Sequence, residues 1–175
     1  MKKLFILLFF FFNINASLSD EKVAYIDLNK IVNESLVGKS LNKQIVDIEN
    51  KINDKFKLIH GELKSKEEAI LLKKNIISDE EFNIEVNNLK KKIDKFNDDR
   101  NTFNTNFNNA KMKYSQKILD ILNPILTLYI SDNSISLLFD KNKLVVAKKS
   151  LDITDQIIKL LNDEISTIEF NYEKL

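Results

Sequence analysis

The sequence contains no cysteine and, in 175 residues, only one proline, two glycines and one histidine. Without cysteine, the chain forms neither a disulfide nor a thiolate nucleophile. The histidine, His60, precedes Gly61 and Glu62 in a predicted helix, and we interpret it as a solvated residue rather than a metal ligand. Adjacent acidic residues such as Asp98 and Asp99 point in different directions on a helix, so they do not form a carboxylate dyad. We therefore predict no catalytic residue, metal site or cofactor, and no enzyme activity.

A long apolar run occurs at the beginning of the chain. Lys2 and Lys3 precede the uninterrupted apolar stretch 4–12, and the small residue Ala16 ends the short segment that follows. This order is typical of a secretory signal peptide. The run is shorter than the roughly 20 residues that a transmembrane helix needs. We therefore expect residues 1–16 to be a signal peptide cleaved near Ala16, in preference to a membrane anchor.

Neither sign of charge dominates the exported chain. Of the 27 basic residues, Lys2 and Lys3 leave with the signal peptide, so 25 remain against 26 acidic residues. Arg100 is the only arginine. Because proteins that bind nucleic acids usually have a clear basic excess, we predict no nucleic-acid partner.

Residues 34–123 are predicted to form a long helical hairpin. Its second helix has a heptad seam with alternating steps of four and three, in which only Arg100 is not apolar. The apolar positions are Phe82, Val86, Leu89, Ile93, Phe96, Phe103, Phe107, Ala110 and Tyr114. The first helix has a similar series, at Leu41, Ile45, Ile48, Ile52, Phe56, Ile59 and Leu63. The two series predict an antiparallel coiled coil, in which residues 41–76 alone span about 54 Å.

The reversal between the two helices is predicted near residue 78. Ser78 and Glu81 have the spacing of a capping box. Ile77 and Phe82 flank the cap where a hydrophobic staple would form. Asp79 and Glu81 also place negative charge at the helix N-terminus, where the helix dipole favours it. We assign the tip of the hairpin to Ile77, Ser78, Asp79 and Glu81.

Residues 22–33 and 124–168 are predicted to form a small α/β oligomerisation body from the two ends of the chain. Its strands are predicted at 22–28, 135–139 and 144–147, the last two joined by a hairpin turn. A body of fewer than about 60 residues has a marginal core, for which oligomerisation is a usual remedy. The predicted fold class is α+β, with a long antiparallel coiled-coil hairpin inserted in a small β-rich body.

Three further features of the body can be predicted. Pro124 requires the second long helix either to end at Leu122 and restart or to continue with a kink. Asp152 has the position and chemistry of an N-cap for the final helix. Residues 170–175 have no clear pattern, and we expect them to fray.

Two groups of side chains on the hairpin are candidates for binding. Four phenylalanines lie on the seam and are either core residues or, near an open tip, contacts for apolar segments of a partner; they are Phe82, Phe96, Phe103 and Phe107. Three consecutive lysines form either a solvated helix face or a transient contact with an anionic membrane surface; they are Lys90, Lys91 and Lys92. The sequence does not separate these alternatives.

The order of these segments resembles the OmpH-like (Skp) family of periplasmic chaperones. The resemblance lies in the signal peptide, the strand Lys-Val-Ala-Tyr-Ile-Asp-Leu at 22–28, the heptad hairpin, Ser-Leu-Leu-Phe-Asp at 136–140 and Leu-Asp-Ile-Thr-Asp at 151–155. It implies a periplasmic, jellyfish-like homotrimer whose bodies share a β-barrel. The arms would enclose a cavity for unfolded outer-membrane proteins. The chain differs from better-known members in lacking their arginine-rich, strongly basic arms.

The resemblance implies an ATP-independent holdase that binds unfolded outer-membrane proteins and prevents their aggregation. On this interpretation the seam phenylalanines and the three lysines are the candidates for client binding. A function of another class also fits the sequence: a structural coiled-coil adaptor of the envelope that binds a folded partner. An adaptor would depend on one helical face, whereas a holdase would tolerate scattered substitutions on its arms.

Overall fold

The computed structural model describes residues 21–172 as a long helical arm attached to a small body, and the predicted signal peptide lies outside this range. The arm consists of α2 (Leu36–Lys73) and α3 (Asp79–Asp132). The remaining elements belong to the body: β1 (Lys22–Ile26), α1 (Leu28–Glu34), β2 (Ile135–Asp140) and α4 (Thr154–Glu164). The chain is therefore mostly helical, with a single pair of strands among the described residues.

The two arm helices differ in length. α2 has 38 residues and α3 has 54, which correspond to about 57 and 81 Å at 1.5 Å per residue. At the turn between them, the Ser78 hydroxyl accepts a hydrogen bond from the Glu81 N–H at 3.2 Å. The Glu81 carboxylate accepts one from the Ser78 N–H, also at 3.2 Å. Both halves of the predicted capping box are thus present, and α3 begins at Asp79.

α3 continues through Pro124 to Asp132, so the helix does not end at Leu122. A proline inside a helix removes one backbone hydrogen bond. Here the surrounding segment is anchored in the core, because Ile118 and Leu122 have no exposed surface. The helix ends only at Asn133, after which Ser134 adopts a left-handed φ of 52° and turns the chain into β2.

The two strands pair in parallel, with Tyr25 opposite Phe139. A parallel pair needs a long crossover between its strands, and in this chain the entire arm serves as that crossover. On its other side β1 makes an isolated bridge to Asp152, in which the Tyr25 carbonyl accepts the Ile153 N–H at 3.1 Å. β2 has β1 as its only neighbouring strand in the described chain.

The predicted third strand at 144–147 is absent, and the body is less rich in β-structure than expected. Residues 141–143 form a 3-10 helix instead of a hairpin turn, because the Asp140 side chain accepts the Asn142 N–H at 3.0 Å and caps that helix. Val145 and Val146 follow it without a strand to pair with, and both are almost fully exposed. The core of the body is instead mainly helical, formed by Ile31, Val37, Ile118, Leu122, Ile157 and Leu161.

The start of the arm also differs from the predicted helix beginning at residue 34. α1 ends at Glu34, and buried Ser35 then acts as the N-cap of α2 by accepting the Gly38 N–H at 3.2 Å. The break at Ser35 allows the backbone of α1 to approach that of α2 closely. A Cβ atom at Gly38 would lie 1.8 Å from the Val32 carbonyl oxygen, so only glycine fits there.

We expect Gly38→Ala to lower the free energy of unfolding by about 2 kcal/mol, because the new methyl group meets rigid backbone rather than a movable side chain. Gly61→Ala is the matched control, since a Cβ atom there has no neighbour within 4 Å. Because alanine favours the helix more than glycine does, this substitution should stabilise the protein by up to about 1 kcal/mol. Urea unfolding followed by circular dichroism measures both. Equal effects of the two substitutions would contradict the close approach at Gly38.

A second junction joins the start of α4 to the end of β1. Ile153 occupies the N-cap position of α4, but the Asp152 carboxylate still accepts hydrogen bonds from the Thr154 hydroxyl and, at 2.9 Å, from the Thr154 N–H. The Thr154 oxygen in turn accepts the Asp27 N–H at 2.9 Å. Burial raises the pKa of Asp152, but these hydrogen bonds, together with the positive charges of Lys141 and Lys30, outweigh it and the net shift is downward. The hydrogen bond from the Lys30 N–H likewise lowers the pKa of Asp27.

These lowered pKa values predict a loss of stability in acid. The contribution of each carboxylate is fully present above its ordinary pKa, near 3.8, and is lost as the pH falls through the lower pKa of the folded state. Asp152→Asn keeps an acceptor but removes the charge, so we expect its stability to fall less between pH 5 and pH 2.5 than that of the wild type. Asp163→Asn, on the exposed side of α4, serves as the control. Parallel stability curves for Asp152→Asn and the wild type would contradict this account.

Candidate functional site

The arm helices are joined by a cluster of aromatic rings around the middle of α2, which we call the arm cluster (Phe56, Phe96, Phe103 and Phe107). The Phe56 ring contacts those of Phe96 and Phe103 edge to face, with both centroid distances 5.8 Å. The Phe103 and Phe107 rings stack at 5.0 Å. Edge-to-face and offset rings are the favoured aromatic arrangements, so this cluster fixes the spacing and register of α2 and α3.

The structure therefore places most of the seam phenylalanines in the core. Phe96, Phe103 and Phe107 are buried, and Phe82, close to the tip, is half-buried. In this closed arm they present little surface to a client. Of the two interpretations that the sequence left open, their placement favours the core, and a client would reach them only if the helices separated.

The tip presents a different surface, which we call the tip surface (Leu71, Leu72, Ile76, Ile84 and Val86). All five are exposed, and Leu72 and Ile76 reach 79% and 80%. They lie on the last turn of α2, in the turn between the helices and on the first turns of α3. The run Ile-Leu-Leu at 70–72 could have indicated this exposure from the sequence. Consecutive helical residues lie about 100° apart, so the three side chains cannot all face the seam.

The three lysines do not form a single patch. All three are exposed, and on a helix their side chains point in successive directions about 100° apart. Lys92 lines a groove of about 410 Å³ between the arm helices, beside Lys66, Lys95 and the rings of Phe56 and Phe96. Other lysines on the arm are paired: Lys73 with Glu85 at 2.8 Å and Lys111 with Glu49 at 3.0 Å.

His60 and Arg100 contribute packing rather than chemistry. His60 is exposed, with its ring 6.4 Å from that of Phe96. The Arg100 guanidinium lies on the same ring, 6.0 Å from its centroid, within the range of a cation–π contact. Among the described residues, no three histidine or acidic side chains are grouped so as to hold a metal ion.

A third feature of the arm was not predicted from the sequence. Residues 167–172, which we call the strap, run from α4 along the groove between α2 and α3. The expected fraying of residues 170–175 is therefore wrong for 170–172, and residues 173–175 lie outside the described part of the chain. Gln44 binds the strap backbone twice, donating to the Ile168 carbonyl at 2.8 Å and accepting the Phe170 N–H at 2.9 Å. The Phe170 and Tyr172 rings pack on Phe107, both at 5.5 Å. The available signal was the alternation of Ile168, Phe170 and Tyr172 with polar residues.

The fold defines a class of protein in which a small body carries one long helical arm between two parallel strands. A family model described as "OmpH: Outer membrane protein (OmpH-like)" matches residues 22–161. The chain therefore belongs to the OmpH-like family, as its sequence indicated.

A solved structure supports the same fold. A crystal structure of a proposed OmpH-like outer membrane chaperone from Caulobacter crescentus CB15 aligns with a TM-score of 0.82. The two proteins share 21% sequence identity, and the alignment covers 89% of this chain and 92% of the other. No curated protein sequence matches the chain. Within residues 21–172, none of the helices combines the length and apolar character needed to cross a membrane.

Proposed function

We propose that this protein is an ATP-independent periplasmic holdase that binds unfolded outer-membrane proteins and prevents their aggregation. The observation that carries the proposal is the tip surface: apolar side chains on one end of a long arm, in a chain of the OmpH-like family. Unfolded clients expose apolar segments, and an exposed apolar surface is what contacts them. The predicted signal peptide supports export to the periplasm.

A holdase without nucleotide must also release its client. Many weak contacts, each near 1 kcal/mol or below, give a binding free energy that remains reversible. The tip surface suits this requirement because its side chains are dispersed over the ends of two helices and form no deep pocket. Release would follow when the client folds into the outer membrane and buries its apolar residues in lipid.

The direct test is suppression of aggregation. The purified protein, without nucleotide, is mixed with a urea-unfolded β-barrel membrane protein, and light scattering is followed after dilution. We expect scattering to fall as the chaperone concentration rises, with no further effect of ATP. Unchanged scattering at a several-fold excess of the protein, together with binding to a folded envelope protein through one helical face, would instead establish a structural adaptor.

We further propose that the body assembles as a homotrimer. A two-stranded sheet is marginal by itself, and β2 leaves one edge without a neighbour in the described chain. Apolar side chains are exposed on β2 and in the segment that follows it, at Leu137, Phe139, Val145 and Val146. An exposed apolar edge is usually covered by another chain. A neighbouring copy would cover it here by pairing with residues 144–147 as a strand.

If the body assembles in this way, the double substitution Val145→Asp/Val146→Asp should change the oligomeric state. Two buried charges at a strand-pairing surface should dissociate the trimer, whereas the same change at exposed Leu58 on the arm should leave it intact. Sedimentation velocity of the three proteins at micromolar concentration measures the mass. A wild-type protein that sediments as a monomer, or a double variant that remains a trimer, would contradict the proposal.

Removing apolar side chains from the tip should weaken client binding. For Leu71→Ser/Leu72→Ser/Ile76→Ser we expect a loss of affinity of about tenfold, or 1.4 kcal/mol, because these side chains are exposed and free to contact a client. Their exposure also implies that stability changes by less than about 0.5 kcal/mol per substitution. Leu58→Ser, an equally exposed change away from the tip, is the control. Equal losses in both variants would show that the tip has no special role.

Client binding should depend only modestly on salt. The described lysines on the arm are interspersed with acidic residues and some are paired with them, so long-range attraction by net charge is weak. We expect the affinity for an unfolded β-barrel protein to fall by less than about tenfold between low and physiological ionic strength. A larger loss, measured by fluorescence anisotropy of a labelled client, would indicate electrostatic capture.

A further inference from the structure

The strap contacts the arm as an extended segment with one buried face. Its residues alternate in exposure: Ile168 and Phe170 are buried and Tyr172 is half-buried, while Glu169 and Asn171 are exposed. A period of two is that of an extended chain, in which successive side chains point in opposite directions. The strap therefore presents one apolar face to the arm and one polar face to solvent.

The arm recognises the strap backbone as well as its side chains. The Gln44 side-chain amide donates one hydrogen bond to Ile168 and accepts one from Phe170. A peptide group of a neighbouring strand would make the same two kinds of hydrogen bond. The Tyr114 hydroxyl accepts a further hydrogen bond from the Asn171 N–H at 3.1 Å. These contacts would be available to any extended segment, because every peptide unit offers the same groups.

The side-chain contacts select apolar and aromatic residues at alternate positions. The Phe170 ring lies 5.0 Å from that of Tyr114 and 5.5 Å from that of Phe107. The Tyr172 ring contacts Phe103 at 5.9 Å. Strands of a transmembrane β-barrel have this alternation, with apolar residues facing lipid at every second position. The strap thus has the side-chain pattern of an unfolded β-barrel strand.

We propose that the groove occupied by the strap is a second client site, and that the strap covers it until an extended segment of an unfolded β-barrel protein displaces it. This inference rests on the proposed holdase function and names a second place where the client binds. Because the strap is attached to the same chain, its high effective concentration weakens binding of a separate segment. Displacement exposes the Gln44 amide and the rings of Tyr114 and Phe107 to the client.

The first test uses full-length variants that weaken the strap but leave the groove unchanged. The probe is a fluorescently labelled peptide with the sequence of residues 166–172. We expect Phe170→Ala/Tyr172→Ala to bind it at least tenfold more tightly than the wild type does. Glu169→Ala/Asn171→Ala changes the exposed face of the same segment and should bind like the wild type. Equal affinities in all three proteins would overturn the covering role of the strap.

The client part of the proposal is tested by competition. An unlabelled peptide from a β-barrel strand should displace the probe, whereas a permuted peptide of the same composition with its apolar residues adjacent should not. If neither peptide competes, the strap is only a structural clamp and the proposal is wrong. That result leaves the holdase function intact, because suppression of aggregation is measured separately in the wild-type protein.

A measurement on the unchanged chain covers the case in which the strap variant unfolds. The Phe170 and Asn171 N–H groups are hydrogen-bonded to Gln44 and Tyr114, so their hydrogen exchange should be slow. Adding the β-barrel strand peptide should accelerate exchange at these two amides by at least about tenfold, while Ile157 and Leu161 in α4 remain protected. Unchanged or slower exchange at Phe170 would overturn the proposal.

Discussion

The structure depends on the packing of aromatic rings between the two helices of the arm. Two helices as long as α2 and α3 bury only a narrow seam, and a tight contact is needed to hold them in register. Phe103 provides it by contacting Phe56 across the arm. Phe107 stacks on Phe103, and both rings contact the aromatic rings of the strap. Phe103 and Phe107 also belong to the same buried cluster as Ile118 and Leu122 in the body. The packing between the arm helices is thus continuous with the core that stabilises the body.

The burial of apolar side chains decreases from the middle of the arm to its tip. Leu63 and Phe96 are buried, whereas close to the tip Phe82 is half-buried and Leu72 and Ile76 face solvent. The capping box at Ser78 stabilises the start of α3 without requiring a packed core there. An arm that is packed along its middle and apolar at its tip suits the proposed function, because its tip could contact clients without unfolding of the body.

Local patterns predicted the arm well because the heptad seam and the Ser78–Glu81 spacing are short-range signals. Prediction failed where distant segments decide the outcome. Residues 144–147 have strand composition but no partner strand in the described chain, and α3 passes through Pro124 because buried neighbours hold it. The strap was missed since its binding depends on Gln44, more than 120 residues away in sequence.

The most direct test of this account locates the client on the chain. A photo-crosslinking amino acid is placed either at Leu72, on the tip surface, or at Leu128, an exposed residue of α3 at the body end. Each protein is irradiated with an unfolded β-barrel client, and the crosslinked product is quantified. The account predicts efficient crosslinking from position 72 and little from position 128. Equal yields from both positions, or a higher yield from position 128, would contradict client binding at the tip of the arm.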